Sequence, residues 1–145
     1  MNNFGYEWEA HKVHTEDHYI LTTFHILGKI GDTKESKGSV LLQHGDYEDG
    51  ASWMSTFKGT PFHLLLVEEG YDVWIGNNRG TDYSQEHETL SAKDDNDYWM
   101  YTWGDMGLYD DAANIEMIKE KAGVDKLFYI GYSQGTIQMF YGLAH

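Results

Sequence analysis

Near its C-terminal end the sequence reads "LFYIGYSQGTIQMF", and within it Gly131-Tyr132-Ser133-Gln134-Gly135 forms a G-x-S-x-G pattern. An apolar β-type run precedes the pattern and an apolar helical run follows it. Between a strand and a helix, such a turn is so sharp that its serine occupies a strained, sparsely populated conformation. Gly131 and Gly135 keep the flanks small enough for the chain to close. The serine oxygen is then lifted clear of the sheet, and the N–H of Gln134 is aimed at the same space. That combination suits nucleophilic attack on an acyl carbonyl, with the N–H holding the oxyanion that develops. The competing reading is a glycine-rich strand–helix turn with an incidental serine.

An oxyanion needs a second donor, usually from the loop after an earlier strand. "LLQHGDYEDGASW" is placed for that, because the chain can turn after His44-Gly45 and present the N–H of Asp46. Read alone, Gln43-His44-Gly45 also fits an ordinary strand end with a satisfied histidine. A serine further needs a base and an acid, and in this kind of site they follow it in chain order. The sequence reaches His145 while the helix after Ser133 is still running. The eight histidines (His11, His14, His18, His25, His44, His63, His87 and His145) fall mostly on an N-terminal hairpin, a first helix or polar loops. Each is expected to be a surface or satisfied residue, so Ser133 has no evident base within this stretch.

The elements that must position these residues follow from periodicity. "HKVHTEDHYILTTFHIL" alternates as two strands around a turn at Glu16-Asp17, and "GKIGDTKESKG" reads as a surface turn. "SVLLQHG", "YDVWIGN" and "KLFYIGYS" are short apolar runs of the buried-strand type. Between and after them lie "TPFHLLLVEEG", with Pro61 at its start and Gly70 past its end, "DMGLYDDAANIEMIKEKAG", closed by Gly123, and "QGTIQMFYGLA". From Val40 onward the order strand–helix–strand–helix–strand–helix predicts an α/β fold with a mostly parallel sheet. The hairpin is expected to sit antiparallel at one edge.

Composition narrows the function classes. The chain has 145 residues, enough for one domain, and its 10 basic and 24 acidic residues give a formal charge of −14. That balance argues against nucleic acid or an anionic membrane as the main partner. The absence of cysteine excludes disulfides and cysteine-rich zinc sites. No signal peptide is recognisable at Met1–Gly5, no run is long enough to span a bilayer, and no N-x-S/T sequon occurs. "DDNDYWMYTWGD" lacks the ligand and glycine spacing of an EF-hand, and His11, His14 and His18 would not converge on a strand and turn. No metal or organic cofactor is expected.

"LLQHG", "EEGYDVWIGNNRGTDYS", the "DMGLYDDAANIEMI" segment and "LFYIGYSQGT", with the opening "GYEWEAHKVHTEDHYILTTFHI", together resemble the acid lipase family. This is the gastric and lysosomal acid lipase and steryl ester hydrolase group of α/β-hydrolases. The resemblance implies that residues 1–145 form the N-terminal part of a single α/β-hydrolase domain, with the last strands and the lid outside this stretch. It implies Ser133 as nucleophile and the N–H groups of Gln134 and Asp46 as the oxyanion hole, supported by Gly131, Gly135, His44 and Gly45. At position 46 the family usually carries leucine. Arg79 of "GNNRG" is expected to hold its loop rather than touch substrate. Implied substrates are triacylglycerols or sterol esters, and the implied setting is lysosomal or secreted. A complementing C-terminal half is the partner that would supply the missing acid and histidine. The alternative is a catalytically inactive, lipase-like chain that binds lipid or a partner.

Overall fold

The computed structural model describes residues 5–31, 35–56 and 58–145. The residues 1–4 read for a signal peptide, and part of the 28–38 surface turn, lie outside that set. The predicted hairpin is present as β1 (Tyr6–His14) and β2 (Tyr19–Lys29). They pair antiparallel, with Glu9 opposite His25 and His11 opposite Thr23. The three apolar runs become β3 (Ser39–Gln43), β4 (Asp72–Ile75) and β6 (Phe128–Gly131). A two-residue strand, β5 (Glu86–His87), pairs with β2 and has too little apolar pattern to be read from sequence.

The sheet order is β1-β2-β4-β3-β6. The β4-β3-β6 part is parallel, as strand–helix alternation requires, whereas β2 meets β4 antiparallel. The sheet as a whole is therefore mixed rather than mostly parallel, because the long hairpin contributes as much pairing as the crossover units.

Alternation along the strands divides the core into two layers. Val40, Leu42, Val73 and Ile75 face one side, where they pack with Phe24, Ile26 and Leu64 of α1 (Phe62–Glu68). Leu41 and Trp74 face the other side, against Ile118 of α3 (Ala112–Ala122). Gly123 ends α3 in the left-handed conformation (φ 67°, ψ 38°), and Lys119 and Lys121 lie in its last turn, where they complement the helix dipole. The helix read as continuous from Asp105 is subdivided. A short turn, α2 (Trp103–Asp105), runs into a π-type segment at Met106–Asp111 before α3 begins. Within that segment a side chain at Gly107 would run into the backbone carbonyl of Gln138 in α4 (Gln134–Ala144), so glycine there lets the two elements approach closely. No helix among the described residues is long and apolar enough to cross a membrane.

Candidate active site

The candidate site is built where β6 stops. Tyr132 N–H still donates to Gln43 O across the β3–β6 pair (3.1 Å), and Gly135 N–H donates back to Tyr132 O (2.9 Å). Between them Ser133 is forced to φ 49°, ψ −118°, a positive φ on a non-glycine residue. Such a conformation costs about 1–3 kcal/mol and persists only where the surroundings impose it. Here they do. A Cβ on Gly131 would lie 2.7 Å from the carbonyl of Gly135, and one on Gly135 would lie 2.6 and 2.7 Å from the carbonyls of Gln43 and His44. Both glycines are thus required by backbone packing, since no side-chain movement relieves those contacts. The serine is exposed at the head of α4.

The loop after β3 meets this turn. A Cβ on Gly45 would come within 3.0 Å of Ser133 Cβ and of the Tyr132 ring, so residue 45 must be small for the loop to lie beside the serine. Asp46 and Gln134 line the same cleft, of about 610 Å³, together with Asn78, Arg79, Tyr101 and Met106. Among the described residues, the backbone N–H groups of Asp46 and Gln134 make no turn or loop hydrogen bond to another backbone carbonyl. The Asp46 side chain is occupied locally, one oxygen accepting the N–H of Tyr47 (3.0 Å). The Gln134 side chain is turned to Met106.

His44 lies under this loop and is buried. Its Nε2 accepts the Asn78 N–H (3.1 Å) and its Nδ1 donates to Gly45 O (2.8 Å), which assigns one neutral tautomer. Burial pushes its pKa down. It therefore braces the loop and has no free nitrogen for Ser133. The other histidines are also engaged away from the serine: His63 with Trp53 O, His14 and His18 with Glu88, His87 with the backbone of Thr89 and Leu90, and His145 with Tyr141 O. His11 and His25 sit on the far hairpin. Among the described residues no histidine–acid pair serves Ser133.

Arg79 is buried and holds the loop it belongs to. Its Nε and its own N–H both donate to Asp110 (2.8 and 2.9 Å), its Nη2 donates to Asp17 (2.8 Å), and its guanidinium stacks on Tyr19 at 3.9 Å. Burial lifts the Asp110 pKa to about 6 against the opposing pull of Arg79, whose two hydrogen bonds favour the ionised carboxylate.

A polar network beneath the turn has no counterpart in the sequence reading. Asn78 Oδ1 accepts from Gln43 Nε2 (2.9 Å) and Gln138 Nε2 (3.0 Å), and Gln138 Nε2 also reaches Asp111 Oδ1 (2.8 Å). The Tyr129 hydroxyl lies 2.7 Å from Gly135 O and 3.2 Å from Asp111 Oδ2. The phenol has one proton to give. If it goes to the Gly135 carbonyl, the phenolic oxygen is left to accept from a protonated Asp111. Burial, with the neighbouring charge of Asp110, raises the Asp111 pKa to about 8, in keeping with a neutral carboxyl at this spot. These residues join β3, β6, the π-type segment before α3, and α4 below the serine. The sequence signal for them is faint, since single polar residues on apolar elements have no distinctive spacing.

Two family descriptions match the chain. A partial α/β-hydrolase lipase region covers residues 1–57, and the α/β-hydrolase fold covers residues 38–145. The chain belongs to the α/β-hydrolase fold family. Within that family it is similar to lipase member K of Mus musculus, 41% identical over 142 residues that take in 97% of this chain and 35% of the mouse protein. It is 37% identical over 138 residues to the lysosomal acid lipase/cholesteryl ester hydrolase of Homo sapiens, covering 94% of this chain and 34% of the human one. The chain thus spans about a third of the length of these relatives. Among solved structures, an esterase of Pyrococcus furiosus superposes with a TM-score of 0.68 at 22% identity, over 99% of this chain and 49% of that one, and supports the fold. The family resemblance is to carboxylic ester hydrolases acting on lipid esters.

Proposed function

We propose that this chain carries the nucleophile half of a lipase-type serine ester hydrolase. Ser133 attacks the ester carbonyl, and the N–H groups of Gln134 and Asp46 receive the oxyanion. An acyl-enzyme forms on Ser133 as the alcohol leaves, and water then releases the acid. The observation that carries the reading is the strained Ser133 (φ 49°), held by Gly131 and Gly135 beside the Gly45-Asp46 loop. Residues 1–145 are read as the N-terminal part of one α/β-hydrolase domain, with the acid and histidine supplied from outside this stretch. Triacylglycerols or sterol esters are the proposed substrates and a lysosomal or secreted compartment the setting; relatives named lysosomal acid lipase/cholesteryl ester hydrolase support the sterol ester and the lysosome. The chemistry needs no organic cofactor.

The test is hydrolysis of p-nitrophenyl butyrate, triolein and cholesteryl oleate by the protein translated from its full reading frame, with Ser133→Ala beside it. The expected loss is at least about 10³-fold in kcat, since only oxyanion-hole and binding effects survive loss of a nucleophile. Hydrolysis that Ser133→Ala leaves intact overturns the assignment.

A second reading, a non-catalytic module that binds lipid or a partner, is favoured by two observations. Ser133 has no base among the described residues, and Ile137, Phe140 and Leu143 are exposed on α4. Binding of ester-containing vesicles with no hydrolysis by the full reading frame would select it.

A further inference from the structure

On the hairpin, remote from Ser133, three ligand atoms converge. Glu9 and His11 are two apart on β1 and so share a face, and His25 stands directly opposite Glu9 on β2. Glu9 Oε1, His11 Nε2 and His25 Nδ1 all lie within 4.8 Å of one another. Glu9 Oε1 is 2.8 Å from His11 Nε2 and 3.5 Å from His25 Nδ1. Both nitrogens are buried, and neither makes a directed hydrogen bond.

The second nitrogen of His25 explains why its first one matters. His25 Nε2 lies 2.5 Å from Asp72 Oδ1, and the other Asp72 oxygen accepts from Ser39 Oγ (2.6 Å) and Trp74 Nε1 (2.7 Å). The His25 ring is also stacked on Trp74, with centroids 3.6 Å apart and planes 7° from parallel. With Nε2 held by Asp72, the Nδ1 of His25 is turned toward Glu9 Oε1 without a hydrogen bond between them, so two ligand atoms face one point that a cation could bridge. A carboxylate behind a histidine, fixing its tautomer and rotation, is also how metal-ligating imidazoles are commonly supported.

We propose that Glu9, His11 and His25 bind one divalent transition-metal ion, with Asp72 orienting His25 from behind. Two imidazoles and a carboxylate suit zinc, and they disfavour calcium or magnesium, which take oxygen ligands. Tetrahedral bonds of about 2.1 Å place ligand atoms roughly 3.4 Å apart, close to the Glu9–His25 spacing of 3.5 Å, while Glu9 and His11, at 2.8 Å, would have to move apart. The site borders a cleft of about 640 Å³ lined by Glu9, His25, Asp72 and Lys121, which leaves room for water as the fourth ligand. The ion would tie β1 to β2 at the edge of the sheet, and through Asp72 to β4. It has no path to Ser133, so its role is to stabilise this edge.

The experiment is a Zn²⁺ titration of the purified protein at pH 7 by calorimetry and by competition with a chromophoric chelator. His11→Gln, His25→Gln and Asp72→Asn are compared with the double variant His14→Gln/His18→Gln. That pair flanks Glu88 on an exposed part of the hairpin and controls for adventitious surface binding. One equivalent of Zn²⁺ is expected to bind. Affinity should fall at least tenfold in each of the three single variants and stay unchanged in the double variant. Co²⁺ added to the wild-type protein should give the intense visible absorption of a tetrahedral site, a readout that needs no variant to fold. Binding removed by the His14/His18 variant, insensitivity to His11→Gln and His25→Gln, or a weak octahedral Co²⁺ spectrum each overturns the site.

Discussion

Substituting Asp111 tests whether the turn under Ser133 rests on a neutral carboxyl. Asp111 is almost wholly buried and, among the described residues, has no cation partner of its own, its contacts being Gln138 Nε2 and the Tyr129 hydroxyl. Its pKa in the folded chain is raised to about 8 from an ordinary 3.8. Between those values the folded state holds a proton that the unfolded state has released. Stability from this group is therefore fully present below about pH 4 and declines as pH rises toward 8. Each unit of pH in that window is worth about 1.4 kcal/mol at most, so moving from pH 5 to pH 7 removes on the order of 1–3 kcal/mol. Asp111→Asn keeps the shape, lets the amide N–H₂ donate to Tyr129, and has nothing to ionise. Urea unfolding at pH 5, 6 and 7 gives the comparison. Wild-type protein should lose about 1–3 kcal/mol more than Asp111→Asn over that interval. Parallel losses would refute the neutral carboxyl and the Asp111–Tyr129–Gly135 chain built on it.

Two further substitutions probe the frame of the site. Arg79→Gln leaves Asp110 buried without its cation and should cost about 3–5 kcal/mol in urea unfolding, whereas Asp17→Asn, at the more exposed end of the same bridge, should cost far less. Gly135→Ala drives a methyl into the backbone carbonyls of Gln43 and His44, so its cost should be at least about 1–3 kcal/mol. That loss would be seen as a lower urea midpoint with an unchanged slope.

How much was legible beforehand depends on how local the cause is. Placement of the three apolar strands and the helices between them from Ser39 onward was readable because apolar periodicity is written into consecutive residues, whereas the two-residue β5 has none. The turn at Ser133 was readable because two glycines flank it within five positions. The left-handed end of α3 at Gly123 was announced by the glycine itself. The π-type segment at Met106–Asp111 was not, because its residues carry the same apolar spacing as the helix that continues from it.

The same division separates the functional residues. By itself the sequence determined the strand–Ser133–helix unit, the small residues that permit it, and the acidic, cysteine-free character of the chain. Those features depend on neighbouring residues or on composition alone. Tertiary structure decided the rest. It turned His44 from a histidine near the loop into a fixed neutral brace, and it placed Asp111, Tyr129 and Gln138 beneath the serine. It also brought His25 against Glu9 and His11, where the sequence had offered only His11, His14 and His18. Strand pairing juxtaposes residues by register, and register is set by the packing of the whole sheet rather than by any spacing along the chain.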